Sequence, residues 1–313
     1  MSLYDKRLVQ NTNLEHDLNY GVWNKLLKMD QNAFVLQYSG SSSDGYLQTF
    51  TTSSDGNTIT QALEKEWGTK NDVYYPSFIR MSEDTYLTAY YGYNSGIKHD
   101  GTSINNTWGQ WLSVFQIKSD GSVINELGNF LHDTYTNSDP YNDLIKIDDD
   151  TYALAYKSYN YGPQTSGSWG GWIKTFKVNG GNINQINELQ HYTSSDSYWH
   201  SWEKLSATTY ALAWQGSGGD GYITTFTIST DGATIAEIAE LEHDGNNGSY
   251  NSFAKLDDDT YVLAYTGDGS DGHISTFTIP TNGASITKVA TLEHDNSYGI
   301  FNSLVRIDQN KFM

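Results

Sequence analysis

Large and small residues alternate along short stretches of this chain, and a similar stretch returns about every fifty residues. In the stretch from Tyr152 to Tyr156, two tyrosines and a leucine alternate with two alanines. A period of two is the pattern of a β-strand, because successive side chains point to opposite faces of the sheet. Stretches rich in Asp, Gly, Ser and Asn separate these segments, as is typical of tight turns. The pattern predicts an all-β protein.

Six copies of one unit account for the repetition. Each copy contains a basic residue followed two positions later by Asp or Ser, and we call this basic residue the anchor cation. The anchor cations are Lys28, Arg80, Lys146, Lys204, Lys255 and Arg306. A fixed period near fifty residues predicts an array of one supersecondary unit rather than a single irregular core.

Each unit reads as four short strands, A to D. In the fifth copy these strands are predicted at Asn251–Leu256, Tyr261–Tyr265, His273–Ile279 and Ile286–Leu292. Strands C and D are joined by Asp-Gly, Asn-Gly or Gly-Gly in every complete copy: Asp55-Gly56, Asp120-Gly121, Gly180-Gly181, Asp231-Gly232 and Asn282-Gly283. These dipeptides supply the positive φ angles of a tight hairpin. Four-stranded antiparallel units repeated radially predict a β-propeller.

The two ends of the chain predict how the propeller closes. Complete repeats lie near residues 22–67, 76–133, 142–192, 200–244 and 251–295. Residues 302–313 match strand A and the start of strand B, and residues 7–17 match strand D. We therefore expect one domain over residues 1–313 with six blades, the sixth shared between the termini. Its strand C is missing, so either the sequence is cut short or the blade is incomplete. An incomplete blade would leave strand edges for oligomerisation.

The segment before strand A carries a recurrent Leu-Glu-His-Asp motif, and Asp-Gly opens strand C in three copies. This arrangement resembles the blade plan of WD40 propellers, in which a histidine and an aspartate form a structural hydrogen-bonded set. The Trp-Asp signature of that family is absent, so the resemblance implies a fold and no function. The recurrent histidines are His16, His132, His191, His243 and His294. We expect them to make structural hydrogen bonds, with a repeated ligand site as the alternative.

Charge and composition narrow the choice of partners. The formal net charge is -19, which disfavours a nucleic-acid partner. No apolar run is long enough to span a bilayer, and the absence of cysteine excludes disulfides. We expect no cofactor; calcium binding at Asp268–Gly272 is the weaker alternative, because this segment lacks the spacing of a helix-loop calcium site. The acidic, Tyr/Thr/Asn-rich composition favours an extracellular or surface setting. The anchor cations are expected to pair with Asp in the A–B turns, although a ring of them could bind an anion.

Two insertions point to one decorated rim of the propeller. Both are predicted as B–C loops, at Tyr90–Trp111 and Tyr156–Trp172, and each ends in Trp-Gly-x-Trp. Aromatic faces beside amide and hydroxyl groups suit sugar rings. The alternative is that these rings only fill space beneath long loops. The residues predicted to bind ligand on this rim are Tyr91, Tyr93, Trp108, Trp111, Tyr159, Tyr161, Trp169, Trp172, Trp199, His200 and Glu203.

These features predict a non-enzymatic binding or adhesion module for an extracellular glycan or protein surface. Equivalent weak sites in similar copies would act together through avidity. A structural or assembly protein, such as a surface-layer, fibre or virion component, is the second interpretation. A glycan-active hydrolase or lyase is the third. It would use Glu203, which interrupts an otherwise apolar strand A position, since glycoside hydrolysis needs converging carboxylates.

Overall fold

The architecture is a β-propeller. The computed structural model describes residues 11–18, 20–67, 73–98, 100–134, 141–160, 168–194, 196–308 and 311–312. In this part of the chain there are five four-stranded antiparallel sheets, which are the blades, and one two-stranded sheet. Within the same residues, no helix has the length and apolar character needed to cross a membrane.

The blades follow one another along the chain. Blade one contains β1 (Val22–Lys28), β2 (Ala33–Ser39), β3 (Gly45–Thr52) and β4 (Ile59–Trp67). Blade two contains β5 (Val73–Arg80), β6 (Thr85–Lys98), β7 (Ser103–Ile117) and β8 (Ile124–Asp133). Blade three contains β9 (Asp143–Lys146), β10 (Thr151–Asn160), β11 (Ser168–Asn179) and β12 (Asn182–Tyr192). Blade four contains β13 (Tyr198–Lys204), β14 (Thr209–Gln215), β15 (Gly221–Ile228) and β16 (Ile235–Asp244). Blade five contains β17 (Ser249–Lys255), β18 (Thr260–Thr266), β19 (Gly272–Thr278) and β20 (Thr287–Asp295).

Short elements complete the chain. Single 3-10 turns at Ser41–Ser43, Ser217–Gly219 and Asp268–Ser270 connect the second and third strands of blades one, four and five. The predicted hairpin glycines Gly56, Gly121, Gly232 and Gly283 have φ angles between 68° and 75°. The C–D turn chemistry predicted from the sequence is therefore confirmed.

The core lies between the blades. Alternation along the second strand gives each blade one face of large side chains and one of small side chains. Tyr210 and Leu212 pack toward blade three, while Ala211 and Ala213 pack toward blade five. All four side chains are fully buried. Core clusters of this kind join each blade to the next along the chain, so blades two, three and four bury both faces against their neighbours.

The inner strands are joined by a hydrogen bond that recurs around the channel. A side-chain oxygen of one blade, three residues before its anchor cation, accepts the backbone amide of the next inner strand. The N···O distances are 3.0 Å for Ser77 and Leu144, 2.8 Å for Asp143 and Trp202, 3.0 Å for Ser201 and Phe253, and 2.8 Å for Ser252 and Leu304. We call this set the inner-strand bonds.

The anchor cations also join neighbouring blades. Arg80 donates to the carbonyl oxygen of Met29 over 2.7 Å, and Lys146 donates to that of Met81 over 2.8 Å. Lys204 repeats the contact with Ile147 over 2.8 Å. Lys146 also makes the expected contact with a turn aspartate, an exposed pairing with Asp149 over 3.7 Å. These cations therefore bind backbone carbonyl groups of the preceding blade, because the strand that carries them ends beside that blade.

The prediction of six blades is wrong, since the structure contains five four-stranded blades. The C-terminal repeat forms a two-stranded sheet of β21 (Arg306–Asp308) and β22 (Lys311–Phe312). Residues 11–18 lie against blade one without forming a strand, and the backbone oxygen of His16 accepts a 3.4 Å bond from Gln48 Nε2. A sixth blade would need a third strand beside β22, and no described residue pairs there.

The two predicted B–C loops also differ from the structure, because they form extended strands. In blade two, β6 and β7 continue pairing as far as Ile97 and Ser103, with Tyr93 opposite Trp108. The end of this hairpin folds back so that Ile97 and Lys98 pair with β8. In blade three, β10 and β11 pair as far as Asn160 and Ser168. Cross-strand aromatic pairs favour strand over loop in these insertions.

Three of the five recurrent histidines lie in the seams between blades, whereas His294 is exposed on the last strand of blade five. His132, His191 and His243 each pack edge-on against the aromatic side chains of the next blade, as His243 does with Tyr265 and Phe277. Among the described residues, their ring nitrogens have no hydrogen-bond partner. Burial lowers the pKa of all three, that of His243 to about 3. The expected hydrogen bonds are thus replaced by aromatic packing of neutral imidazoles.

We predict that acid weakens the fold through these seam histidines. Below pH 6.5 the unfolded chain protonates each histidine while the folded chain keeps it neutral, so stability falls with falling pH. One such histidine contributes about 1.4 kcal/mol per pH unit. Urea unfolding at pH 7, 6 and 5 should show a smaller pH slope for His243→Leu than for the wild type. Equal pH slopes of the unfolding free energy in the two proteins would contradict the assignment. All other titrating groups are common to both proteins, so their contributions cancel in the comparison.

Candidate functional site

An aromatic residue lies five positions before the anchor cation in every copy of the repeat. We call this set the aromatic ring. Its members are Trp23, Tyr75, Tyr141, Trp199, Tyr250 and Phe301. They lie where the inner strands begin, on the rim that also carries the extended hairpins. All six line one cavity of about 840 Å³ at the mouth of the channel.

The backbone of the ring is unusual, because all six aromatic residues have φ angles between 43° and 55°. In blades one, two, four and five the residue lies inside a register shift of the inner strand, for example between Ser249 and Ser252 in blade five. A bulky side chain in this left-handed region costs about 1–2 kcal/mol. Conformational strain that recurs at one position is typical of functional sites.

Neighbouring members of the ring are in contact. The ring centroids are 5.0 Å apart for Trp23 and Tyr75, 4.5 Å for Tyr75 and Tyr141, 4.2 Å for Tyr141 and Trp199, 3.7 Å for Trp199 and Tyr250, and 4.8 Å for Tyr250 and Phe301. The left-handed bulge turns each side chain toward the channel instead of into a seam. The result is a continuous apolar surface around the cavity.

In blades four and five, the residue after the ring aromatic supports this geometry. Asn251 donates from Nδ2 to the carbonyl oxygen of Trp199 over 3.1 Å and to that of Gly248 over 2.9 Å. His200 does the equivalent in blade four: its Nδ1 is 2.8 Å from the Tyr141 carbonyl oxygen, and its Nε2 is 2.9 Å from Ser197 Oγ. Burial lowers the pKa of His200 to about 4, so the imidazole is neutral. His200 thus orients the ring rather than titrating at neutral pH.

Two charged residues interrupt the cavity wall. The position three before the anchor cation is serine in four copies, Lys25 in the first and Asp143 in the third. Both line the cavity, and the Lys25 charge lowers the pKa of Asp143. Burial acts in the opposite direction and is the larger effect, so the pKa of Asp143 is raised overall. The site therefore holds a carboxyl group that is easier to protonate than an exposed one.

Asp143 is held in place by the inner-strand bonds. One carboxylate oxygen accepts the Trp202 amide over 2.8 Å, and the other accepts the Ser77 hydroxyl over 3.2 Å. Ser77 in turn accepts the Leu144 amide over 3.0 Å. These contacts fix the direction of the carboxyl group in the channel wall, as a catalytic acid requires.

Glu203, predicted from the sequence as a catalytic or ligand-contacting residue, lies beside the cavity without lining it. Its two carboxylate oxygens accept the backbone amides of Lys204 and Lys255, each over 3.2 Å. Burial raises its pKa, and the charge of Asp143 adds to the effect. Glu203 therefore connects two blades through backbone amides, and its carboxylate does not line the cavity.

The other predicted residues fall into three groups. Trp199 and His200 belong to the ring region. On the extended hairpins, Trp108 stacks on Tyr91 with centroids 5.4 Å apart and lies 5.7 Å from Tyr93, while Tyr159 lies 5.6 Å from Trp169. Two predicted residues are fully buried in the core between blades, which removes them from the rim: Trp111 and Trp172. One predicted residue lies outside the described residues: Tyr161.

Sequence reasoning missed the ring and Asp143. The ring had a plain signal, because an aromatic residue stands five positions before all six anchor cations. Asp143 also had a sequence signal, since it replaces serine at a repeated position. Neither signal reveals the left-handed backbone, which large aromatic side chains normally avoid.

No metal site accompanies these residues within the described ranges, where no group of three or more His, Asp or Glu side chains could hold an ion. The Asp268–Ser270 turn uses its polar atoms internally. Gly269 N donates to Asp268 Oδ1 over 2.9 Å, and Gly267 N donates to the Asp271 carbonyl oxygen over 2.8 Å. This segment behaves as a turn between strands.

Comparison with solved structures places this fold among known propellers. No protein-family model matches the chain, and no curated protein sequence does. A protein of unknown function from Dyadobacter fermentans is similar with a TM-score of 0.57 and 13% identity, over 93% of this chain and 88% of that one. The NanB sialidase of Streptococcus pneumoniae is similar with a TM-score of 0.58 and 10% identity, over 96% of this chain. The chain spans 65% of the length of NanB.

This similarity corrects the prediction that the chain is not an enzyme. The prediction treated the propeller as a binding scaffold because nearly every acidic residue occupies a repeated position. NanB, which shares the fold over 96% of this chain, is a sialidase. At 10% identity the similarity establishes the fold alone, so activity has to be argued from the cavity.

We predict that the ring backbone is strained, and that a pair of substitutions reveals it. At Tyr250, glycine should give a more stable protein than alanine by about 1 kcal/mol, because only glycine accepts a positive φ without cost. At Tyr261, which lies in the regular strand β18, the order should reverse. Urea unfolding of the four variants checks this. The same order at both positions would show that Tyr250 carries no backbone strain.

Proposed function

We propose that the protein is a glycan-active hydrolase whose active site is the cavity inside the aromatic ring. The proposal rests on one observation. Six aromatic side chains line the same cavity as one partly buried aspartic acid, Asp143. The aromatic ring supplies binding, and the carboxyl group supplies acid chemistry.

The ring suits a sugar because sugar rings have apolar C–H faces and polar edges. Trp199 and Tyr250 offer aromatic surface at the mouth of the cavity, and Asn251 and Ser252 offer polar groups beside them. Apolar surface with a few placed polar groups is the usual composition of a ligand cavity. The strained backbone that turns each aromatic side chain toward the channel supports a binding role over a packing role.

Asp143 is assigned as the proton donor. In glycoside hydrolysis a carboxylic acid protonates the leaving oxygen while water attacks the anomeric carbon and gives up a proton, and burial raises the pKa of such an acid. Asp143 fits this role, because it lines the cavity and burial raises its pKa. Glu203 is the second carboxylate, and we assign to it an electrostatic role beside the cavity. The sialidase activity of NanB is consistent with chemistry on this fold.

The proposal keeps an extracellular glycan as the partner. The acidic surface and the composition rich in Tyr, Thr and Asn favour a setting outside the cell. We propose no metal or cofactor for the reaction, since the residues assigned to it are a carboxylic acid and aromatic surfaces.

We predict that Asp143→Ser abolishes turnover and leaves the fold intact. Serine stands at the equivalent position in blades two, four and five, where it makes the same inner-strand bond. The variant removes only the acid, so kcat should fall at least about a hundredfold, the usual contribution of general acid catalysis. Release of reducing ends from a panel of polysaccharides and glycoproteins measures this.

The matched control for that experiment is Asp258→Asn, in an exposed A–B turn on the opposite rim. It should keep wild-type turnover. Equal rates for wild type and Asp143→Ser would overturn the assignment of the acid. Absence of turnover of every glycan by the wild type would overturn the proposed hydrolase.

We predict that Lys25→Met moves the alkaline limb of the kcat/KM profile to higher pH. The acid must be protonated to act, so activity is lost as pH rises through its pKa. The Lys25 charge lowers that pKa, and its removal raises it. A pH profile of kcat/KM reports the free enzyme and gives the shift directly. A limb that stays in place or moves to lower pH would contradict the pairing of Lys25 with Asp143.

A further inference from the structure

Aromatic contacts leave the ring in two places, both toward the extended hairpins. The first path runs from Trp23 to Tyr74, with centroids 5.1 Å apart, then to Tyr91 over 6.0 Å and to Trp108 over 5.4 Å. We call it the blade-two arm. Its last member, Trp108, lies on β7 opposite Tyr93, beyond the positions at which the equivalent strands of blades one, four and five end.

The second path begins at Tyr141 and runs to Tyr198, with centroids 5.3 Å apart. Lys157 follows, with Nζ 3.8 Å from the Tyr198 ring centroid and 5.6 Å from that of Trp169. We call it the blade-three arm. Lys157 is 7% exposed, and its charge is held by these cation–π contacts and by a hydrogen bond from Nζ to the Tyr198 hydroxyl.

The two arms make the site asymmetric. The ring repeats in all six copies, whereas the hairpins are extended only in blades two and three. These blades are neighbours, and Tyr75 and Tyr141 connect them within the ring at 4.5 Å. The aromatic surface therefore continues from the cavity to one side of the rim. A single sugar residue in the cavity would leave both arms unused.

We infer that the ligand is an oligosaccharide or polysaccharide chain that runs from the cavity over the arms of blades two and three. This inference rests on the proposed function and names its substrate class. Sugar residues remote from the reacting bond would stack on Trp108 and Trp169. Such remote contacts supply binding energy that positions the bond to be cleaved at Asp143. A proline-rich peptide could also stack on aromatic grooves, and the test below separates the two.

The test uses oligosaccharide ladders from disaccharide to octasaccharide, prepared from chitin, cellulose and hyaluronan. Binding is measured by calorimetry on Asp143→Ser, so that no ligand is consumed. The dissociation constant should fall with chain length for at least one ladder. Adding Trp108→Ala or Trp169→Ala should weaken binding of the longest member about tenfold and leave that of the shortest bound member unchanged.

The matched control is Tyr46→Ala, an aromatic residue at the start of β3 on the same rim that stacks on Tyr38 outside both arms. This control variant should show the same increase of affinity with oligosaccharide length as Asp143→Ser alone. Two results would overturn the inference while leaving the proposed hydrolase standing. One is an affinity that does not depend on oligosaccharide length, and the other is an increase of affinity with length that persists in both tryptophan variants. Binding of a polyproline peptide in place of every ladder, or no binding of any ladder, would overturn the inference, and turnover of glycans by the wild type decides the proposed hydrolase separately.

Discussion

The inner-strand bonds are the constraint on which the rest of this propeller depends. Each fixes the start of one inner strand to a side-chain oxygen of the blade before it, as Ser201 does for Phe253. The ring aromatic lies two residues before that oxygen, so the same bonds set the spacing of the ring. The contact needs only a side-chain oxygen, so the carboxylate of Asp143 makes it in place of serine and still lines the cavity. The candidate acid is therefore positioned by a structural hydrogen bond.

The ring also shows how strain and support are balanced. Turning six aromatic residues into a left-handed backbone is costly, and in blades four and five the next residue offsets part of that cost. Asn251 and His200 each bond the carbonyl oxygen of the preceding ring aromatic, while their second contacts differ, being the Gly248 carbonyl oxygen for Asn251 and the Ser197 hydroxyl for His200. His200 reads in the sequence as a ligand residue, whereas its nitrogens are both used to hold the ring. The geometry of the aromatic ring therefore depends on residues that need not touch the ligand.

The fold was largely predictable from sequence, and the site was not. The alternation at Tyr152–Tyr156 and the glycine turns are local signals, and they identified the strands and the propeller. The blade number failed because a matching segment at Arg306–Asp308 pairs with only one short strand. Glu203 stood out as unusual but faces a seam of backbone amides. Tyr250 precedes the strand predicted at Asn251–Leu256, and no sequence pattern indicates that an aromatic residue there takes a left-handed backbone.

The central claim is that the aromatic ring binds a glycan, and a glycan array tests it most directly. The array compares Asp143→Ser with the same protein carrying Trp199→Ala and Tyr250→Ala, after circular dichroism has confirmed that both are folded. The account predicts that the first protein binds a defined set of glycans and that the second loses all of them. The same glycans bound by both proteins would contradict the account, because the ring would then be a packing feature of the channel mouth.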